Sequence, residues 1–236
     1  MAGSEPKTSG EKLVQHWETK VVNAPTGEKA TIHAAIFSMC ETALRVIDQP
    51  GDPRRSLAAT MPATKALAGV NGGYFDPDDA PVGLLVSDGR VISPQRKAKL
   101  LAGVIFTRGD RVEIVRSSAF AMSAKIKNAV QCGPFLVEHS KSVVGLNGTR
   151  RARRTFAGVD GEGRAVLGIC SSVSLSELGQ ILAVPGAAGK IKLARAINLD
   201  GGSSSAFWFA GGGDSFSQSE FKPVRNFLAV VPRGDR

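Results

Sequence analysis

The sequence predicts an α+β fold, a single compact domain in which a mostly antiparallel or mixed sheet outweighs a few helices. Three observations carry that expectation. Short apolar and β-branched runs recur along the chain between clusters of Gly, Pro, Asn and Asp. Two such clusters, Asp88-Gly89 and Arg108-Gly109-Asp110, separate apolar runs in the manner of hairpin turns. Helix signals are few, the clearest being Ser174-Leu175-Ser176-Glu177, a capping box.

Taken in order, residues 1–20 read as a flexible polar arm and residues 21–236 as the domain. Thr31 to Phe37 and Ala43 to Ile47 are the first expected strands, and Gln49 to Pro53 is a turn cluster. Leu57, Met61, Thr64 and Leu67 fall near helical spacing, although Pro62 argues against one continuous helix. Gly83 to Val86 pairs with Val91-Ile92, and Ala102 to Phe106 with Val112 to Val115. Met122 to Val130 reads as a short helix leading into a strand at Phe135 to Val137. Thr155 to Val159 and Ala165 to Cys170 flank the turn at Asp160 to Gly163. The capped helix carries Leu175, Leu178 and Leu182 on one face, so Glu177 is assigned to capping rather than to chemistry. Ala194 to Leu199 is a buried strand with polar breaks at Arg195 and Asn198. Ala210 to Ser219 reads as a Gly/Ser-rich lid, and Pro223 to Val231 supplies the last strand.

Composition narrows the chemistry. The chain has 236 residues, a formal charge of +9, a pI near 9.8 and no apolar stretch near the roughly 20 residues that a bilayer span needs. Three cysteines, Cys40, Cys132 and Cys170, lie too far apart for zinc-site spacing, and three histidines are too few for a His-rich metal centre. Catalysis is therefore expected to run on carboxylates and arginines. The basic surface suits anionic ligands. A basic recognition helix and aromatics interleaved with Lys and Arg are both missing, so nucleic acid is not expected as a partner.

Two Gly-Gly corners dominate the motifs. Val70-Asn71-Gly72-Gly73-Tyr74-Phe75-Asp76 and Leu199-Asp200-Gly201-Gly202-Ser203-Ser204-Ser205 each place polar groups beside paired glycines at the end of an apolar run. Asp200 is either an acid held at the mouth of a sheet or an Asx-turn residue. Asp76-Pro77-Asp78-Asp79 is either a solvated turn or a site for Ca²⁺ or Mg²⁺. No metal is expected to be required. Cys132 beside Gly133-Pro134 reads as a buried thiol rather than a nucleophile. Arg150, Arg151, Arg153 and Arg154 crowd four guanidinium groups into five residues.

With Gln131-Cys132-Gly133-Pro134, Arg153-Arg154-Thr155 and Lys222-Pro223-Val224-Arg225-Asn226, these corners make a chain that resembles the phosphodiester glycosidase family, and within it a short bacterial branch. The resemblance covers roughly residues 30–232. It implies a hydrolase that splits the sugar–phosphate bond of a glycosyl 1-phosphodiester. Asp200 would be base or nucleophile, Arg154 the phosphate clamp and Asp76 a reserve carboxylate. Asn71, Gly72, Gly73, Gly133, Gly201, Gly202, Ser203, Ser204, Arg225 and Asn226 would line the substrate site. The substrate would be a small or polymeric anionic glycan. The location would be extracytoplasmic, with the signal peptide absent from this sequence. A non-catalytic binding module for anionic glycans is the alternative.

Overall fold

The computed structural model describes residues 13–22, 29–211 and 215–234. Strands β1 (Val14–Val22), β2 (Lys29–Ser38) and β3 (Thr42–Asp48) precede helix α1 (Leu57–Ala63). There follow β4 (Ala68–Asn71), β5 (Leu85–Ser87), β6 (Arg90–Ser93), β7 (Gly103–Arg108), β8 (Arg111–Arg116), β9 (Ile126–Cys132), β10 (Phe135–Glu138) and β11 (Lys141–Ser142). Next come β12 (Ala152–Asp160), β13 (Arg164–Val173) and helix α2 (Leu175–Ala183). The chain closes with β14 (Leu193–Asn198), β15 (Phe207–Phe209), β16 (Phe216–Gln218) and β17 (Asn226–Pro232).

These strands form a seven-stranded sheet ordered β1-β2-β13-β12-β14-β10-β11 and two five-stranded sheets, β16-β15-β4-β17-β3 and β6-β5-β9-β7-β8. Every ladder between these strands is antiparallel, so the α+β expectation holds with the sheets entirely antiparallel. The sheets meet around one core. Phe37, Leu167 and Ile169 of the large sheet pack with Leu44, Val70 and Leu228 of the second and Ile105, Ile114 and Val130 of the third. The outer face of the large sheet is covered by α2 through Leu178 and Leu182 against Phe156 and Val166. Helix α1 covers the second sheet through Leu57 and Met61 against Trp208 and Phe227. Strands such as β13 are thus buried on both faces, which is why they read as continuous apolar runs rather than alternating ones.

Local signals hold where turn chemistry decides. Asp88 and Gly89 take φ of 47° and 84° between β5 and β6, as a primed two-residue hairpin turn requires. The Ser174 N–H donates to Glu177 Oε2 at 2.7 Å and the Glu177 N–H donates to Ser174 Oγ at 3.2 Å, closing the capping box.

Three expectations give way. The helix expected over Met122 to Val130 is instead strand β9, the middle of its sheet between β5 and β7. Exposed Lys127 between buried Ile126 and Asn128 is the period-two signal that outweighs the alanines. Buried Asn128 is satisfied by accepting the Val46 N–H at 2.8 Å, which stitches two sheets together. Residues 14–20, placed in the arm, are the first part of β1, paired along their whole length with β2. The lid expected over Ala210 to Ser219 contains β16, paired with β15; residues 212–214 lie outside the described residues.

Candidate active site

Asp200 lies two residues past β14, where the large sheet abuts the second one. Its backbone is pinned from both sides. The Asp200 N–H donates to Gly72 O at 3.0 Å, and its carbonyl accepts the Asn71 Nδ2–H at 2.8 Å. One residue earlier, the Leu199 N–H donates to Thr155 O at 2.9 Å. The loop is therefore held by β4 and β12 before its side chain does anything.

Asn71 is the centre of this arrangement. It is fully buried, and its Oδ1 accepts from Thr155 Oγ1 at 2.6 Å and from the Ala206 N–H at 2.9 Å. One side chain thus joins β4, β12 and both ends of the Asp200 loop. Its polar atoms are occupied inside the protein, so the residue expected to orient substrate orients the loop.

The Asp200 carboxylate is half-buried. Burial holds it above the usual carboxylate range, opposed by hydrogen bonds from the Ser204 side chain and from the Gly201 N–H, the latter at 2.9 Å. After it, Gly202 sits at φ 67°, a left-handed conformation that a side chain would strain, and turns the chain into a short 3₁₀ turn through Ser204. Ser203 on that turn is exposed.

Arg154, 8% exposed on β12, lies beside this loop: a Cβ placed on Gly201 would stand 3.9 Å from its Cδ and its Nη1. Its Nε donates to Val173 O at 3.1 Å and its Nη2 to Arg150 O at 2.6 Å. Two of its five donors are thereby used to fix the guanidinium, and the Nη1 side faces the loop. Burial lowers its pKa first of all, although it remains a cation at any working pH.

The other expected ligands are placed differently. Arg225 forks onto Asp48, Nε to Oδ1 at 2.6 Å and Nη2 to Oδ2 at 3.1 Å, with both side chains about nine-tenths buried, and Nη1 donates to Asp79 O at 2.9 Å. It is a structural ion pair. The Asn226 carbonyl accepts the Gly72 N–H at 2.9 Å and its Oδ1 accepts the Gly73 N–H at 2.8 Å. A side chain at Gly72 would collide with that amide, so Gly72 and Gly73 are there for close packing. The Gly133 carbonyl accepts from Tyr74 Oη at 2.6 Å and Asn198 Nδ2 at 3.1 Å.

Asp76 closes a turn: its Oδ1 accepts the N–H groups of Asp78 at 3.0 Å and Ala80 at 2.8 Å. Asp79 pairs with Arg54 at 2.8 Å. Among the described residues, no group of three or more His, Cys, Asp or Glu is arranged to hold a metal ion.

Sequence reasoning overlooked Tyr74 and Asn198. Tyr74 sits inside the first Gly-Gly motif, and Asn198 is the second polar break in the apolar run before Asp200. Asn198 Nδ2 reaches Tyr74 Oη at 3.1 Å, and burial raises the phenol's pKa, with Asp200 close enough to add to the shift. Cys132 beside them is fully buried, its thiol pushed up to about 12 chiefly by burial, which makes it inert as a nucleophile.

Comparison with known proteins gives five findings. A family profile described as phosphodiester glycosidase matches residues 64–231. The catalytic domain of zebrafish N-acetylglucosamine-1-phosphodiester alpha-N-acetylglucosaminidase, solved in a form auto-inhibited by its pro-peptide, superposes with a TM-score of 0.69 at 16% identity, over 93% of this chain and 83% of that one. A hypothetical protein from Synechocystis gives a TM-score of 0.65 at 16% identity over 94% of this chain and 62% of its own. A Burkholderia pseudomallei K96243 protein, provisionally described as exported, gives 0.63 at 15% identity over 89% and 75%. At these identities the likeness is one of fold. In sequence, the uncharacterised Escherichia coli (strain K12) protein YigE is 40% identical over 81 residues, so the matched region spans 30% of that relative and 30% of this chain.

Proposed function

The chain belongs to the phosphodiester glycosidase family, and from that premise we propose that it hydrolyses the sugar–phosphate bond of a glycosyl 1-phosphodiester. The observation that carries the reading is that a half-buried Asp200 on a pinned loop is followed by Gly201, against which the immobilised Arg154 guanidinium packs.

Cleavage of such a bond makes two electrostatic demands. The anomeric carbon gains positive charge as the bond breaks, and the departing phosphomonoester gains negative charge. The Asp200 carboxylate answers the first, by attacking the anomeric carbon or by taking a proton from the attacking water. The Nη1 side of Arg154 answers the second, through hydrogen bonds that strengthen as charge moves onto phosphate. Because Val173 O and Arg150 O already hold the guanidinium, little side-chain freedom remains to be lost on binding. Phosphate is a good leaving group, so this chemistry does not need the strong general acid of an ordinary glycosidase. The exposed Ser203 hydroxyl and the Gly202 backbone are left to orient the sugar, while the buried Ser204 hydroxyl holds the Asp200 carboxylate.

The reading includes a location outside the cytoplasm, in keeping with the exported description of one structural neighbour. Among the described residues no helix is long and apolar enough to cross a membrane. It also includes independence from added metal, because Asp76 is engaged in its turn and Asp79 with Arg54.

The test is a hydrolysis panel of UDP-N-acetylglucosamine, simple sugar 1-phosphodiesters and nitrophenyl phosphodiesters, run with and without chelator. Release of free sugar from the sugar diesters, unaffected by chelator, is the expected result. Tight binding of sugar diesters with no turnover would instead establish a binding module. Loss of activity with chelator, restored by Ca²⁺ or Mg²⁺, would overturn the metal-free part of the reading.

A further inference from the structure

Phe221 is 77% exposed, and isolated exposed hydrophobics ordinarily need no explanation. This one is fixed in place beside the candidate site. Its N–H donates to Ser203 O at 2.7 Å, so its backbone is tied to the turn that follows Asp200. The Arg153 guanidinium lies 4.3 Å from its ring centroid. The same guanidinium donates from Nη2 to Ser205 O at 2.6 Å and to Ser219 O at 2.9 Å. The residue is thus tied to one loop through its backbone, and its ring faces an arginine held by two loop carbonyls, while most of its surface stays in water. Holding an apolar ring still in water costs side-chain entropy and returns no burial. A ligand that covers the exposed face would supply the missing term.

The surroundings limit what that ligand is. Ser203, whose carbonyl holds the Phe221 N–H, Ser219, which shares Arg153, and Lys222, next in sequence, are exposed and polar, and Pro223 is the exposed apolar residue nearest in sequence. A lipid or a protein partner would need a broader apolar patch. A pyranose presents an apolar C–H face of about one ring, edged by hydroxyls that suit serines and a lysine.

Position limits it further. Arg153 and Arg154 are neighbours on β12 and therefore project to opposite faces of the strand. Arg154 reaches Val173 O and Arg150 O, whereas Arg153 reaches Ser205 O and Ser219 O. The Asp200 loop lies between a phosphate-suited flank and an aromatic flank.

We infer that Phe221 is the sugar-stacking platform of this site, its exposed face covering the pyranose ring of the glycosyl phosphodiester while Arg154 takes the phosphate. The inference rests on the hydrolase reading for the identity of the substrate, but it makes a binding claim that is tested without turnover.

The experiment titrates the full chain with N-acetylglucosamine 1-phosphate, glucose 1-phosphate and inorganic phosphate by calorimetry, in the unmodified protein, Phe221→Ala and Phe221→Trp. Melting curves confirm that each variant is folded. At least one sugar phosphate should bind the unmodified protein more tightly than phosphate does. Phe221→Ala should weaken that sugar phosphate roughly tenfold, the scale of one aromatic stack, and leave phosphate unchanged. Phe221→Trp should restore the difference. Equal loss of phosphate and sugar phosphate in Phe221→Ala would mark a general disturbance of the loop and overturn the inference. So would unchanged sugar binding, or a protein that binds neither sugar phosphate better than phosphate. The two readings fail separately. Sugar binding that depends on Phe221, in a protein that cleaves none of the diesters, retires the hydrolase and keeps the platform. Diester cleavage with the same KM in Phe221→Ala retires the platform alone.

Discussion

Replacing Asp200 by asparagine separates a catalytic acid from a turn-forming one, because the amide keeps the acceptor that a turn needs but can neither attack nor take a proton. The ties that hold the loop, Asp200 N–H to Gly72 O and Asn71 Nδ2–H to Asp200 O, belong to the backbone and survive the change. The contact from the Gly201 N–H needs only one side-chain oxygen, which the amide retains. What disappears is a half-buried charge. The folded pKa of Asp200 is raised, chiefly by burial, so the folded state holds its proton more tightly than the unfolded chain does. Above that folded pKa the ionised group costs stability, and the cost is relieved as pH falls through it. Asp200→Asn at neutral pH should therefore leave the thermal midpoint unchanged or raise it, with any loss held under about 1 kcal/mol, the net worth of a single hydrogen bond. Turnover of a sugar 1-phosphodiester should fall by roughly 10²–10⁴, the usual contribution of a positioned base. In the unmodified protein the acid limb of the pH–rate profile should lie above the ordinary carboxylate range. The assays are a melting curve and initial rates of sugar release across pH. A midpoint that drops by several degrees, with activity lost only in proportion to unfolding, would refute the reasoning and return Asp200 to the role of a turn residue.

Arg154→Lys deletes the anchors at Val173 O and Arg150 O and replaces a planar fork with a point charge, so KM for phosphate-bearing substrates should rise about tenfold; an unchanged KM and kcat would remove Arg154 from the site. Arg225→Gln strands Asp48 as a buried, unpaired carboxylate, and should cost about 3–5 kcal/mol and at least about 6 °C of melting temperature while sparing KM; the reverse pattern would restore Arg225 as a ligand. His16 and His33 lie 3.3 Å apart among Phe207, Phe209 and Phe216, with Glu18 the nearby carboxylate. Burial lowers both pKa values, His16 to about 4 with repulsion from His33 adding to the shift. The unfolded chain thus binds more protons below about pH 6.5, and stability should fall between that pH and about 4; a midpoint flat over that window would contradict the packing.

Much of this architecture is legible from local chemistry. The Asp88-Gly89 hairpin, the Ser174 capping box and the Asp160 turn each depend on residues within a few positions of one another. The Asp200 motif is legible for the same reason, since its strand, carboxylate and glycines are contiguous. What escapes is pairing at long range. Arg225 reads as a free cation at a strand mouth until Asp48, 177 residues away, is seen to hold it. Asn71 reads as a ligand until Thr155 and Ala206 claim its oxygen. Strand β9 reads as a helix because alanine and lysine favour one locally, and its place between β5 and β7 overrides that preference. Phe221 gives no local signal, because its meaning depends on Ser203 and Arg153.

The same pattern explains how one carboxylate and one arginine can form a site without a dense polar cluster. Electrostatic catalysis depends on groups that need not reorganise as charge develops. Here the immobility comes from the sheets. Asp200 leaves the large sheet but is pinned by Gly72 and Asn71 of the second, and Arg154 is fixed by carbonyls of its own sheet and of the loop before it. Several buried polar residues in the Gly-Gly motifs therefore act as fasteners, leaving Asp200, Arg154 and the exposed turn at Ser203 to meet a ligand. Under the hydrolase reading, loss of a fastener and loss of the acid should both abolish turnover. Only loss of the acid should do so without lowering the melting temperature, because burial of its charge is a cost to the folded state.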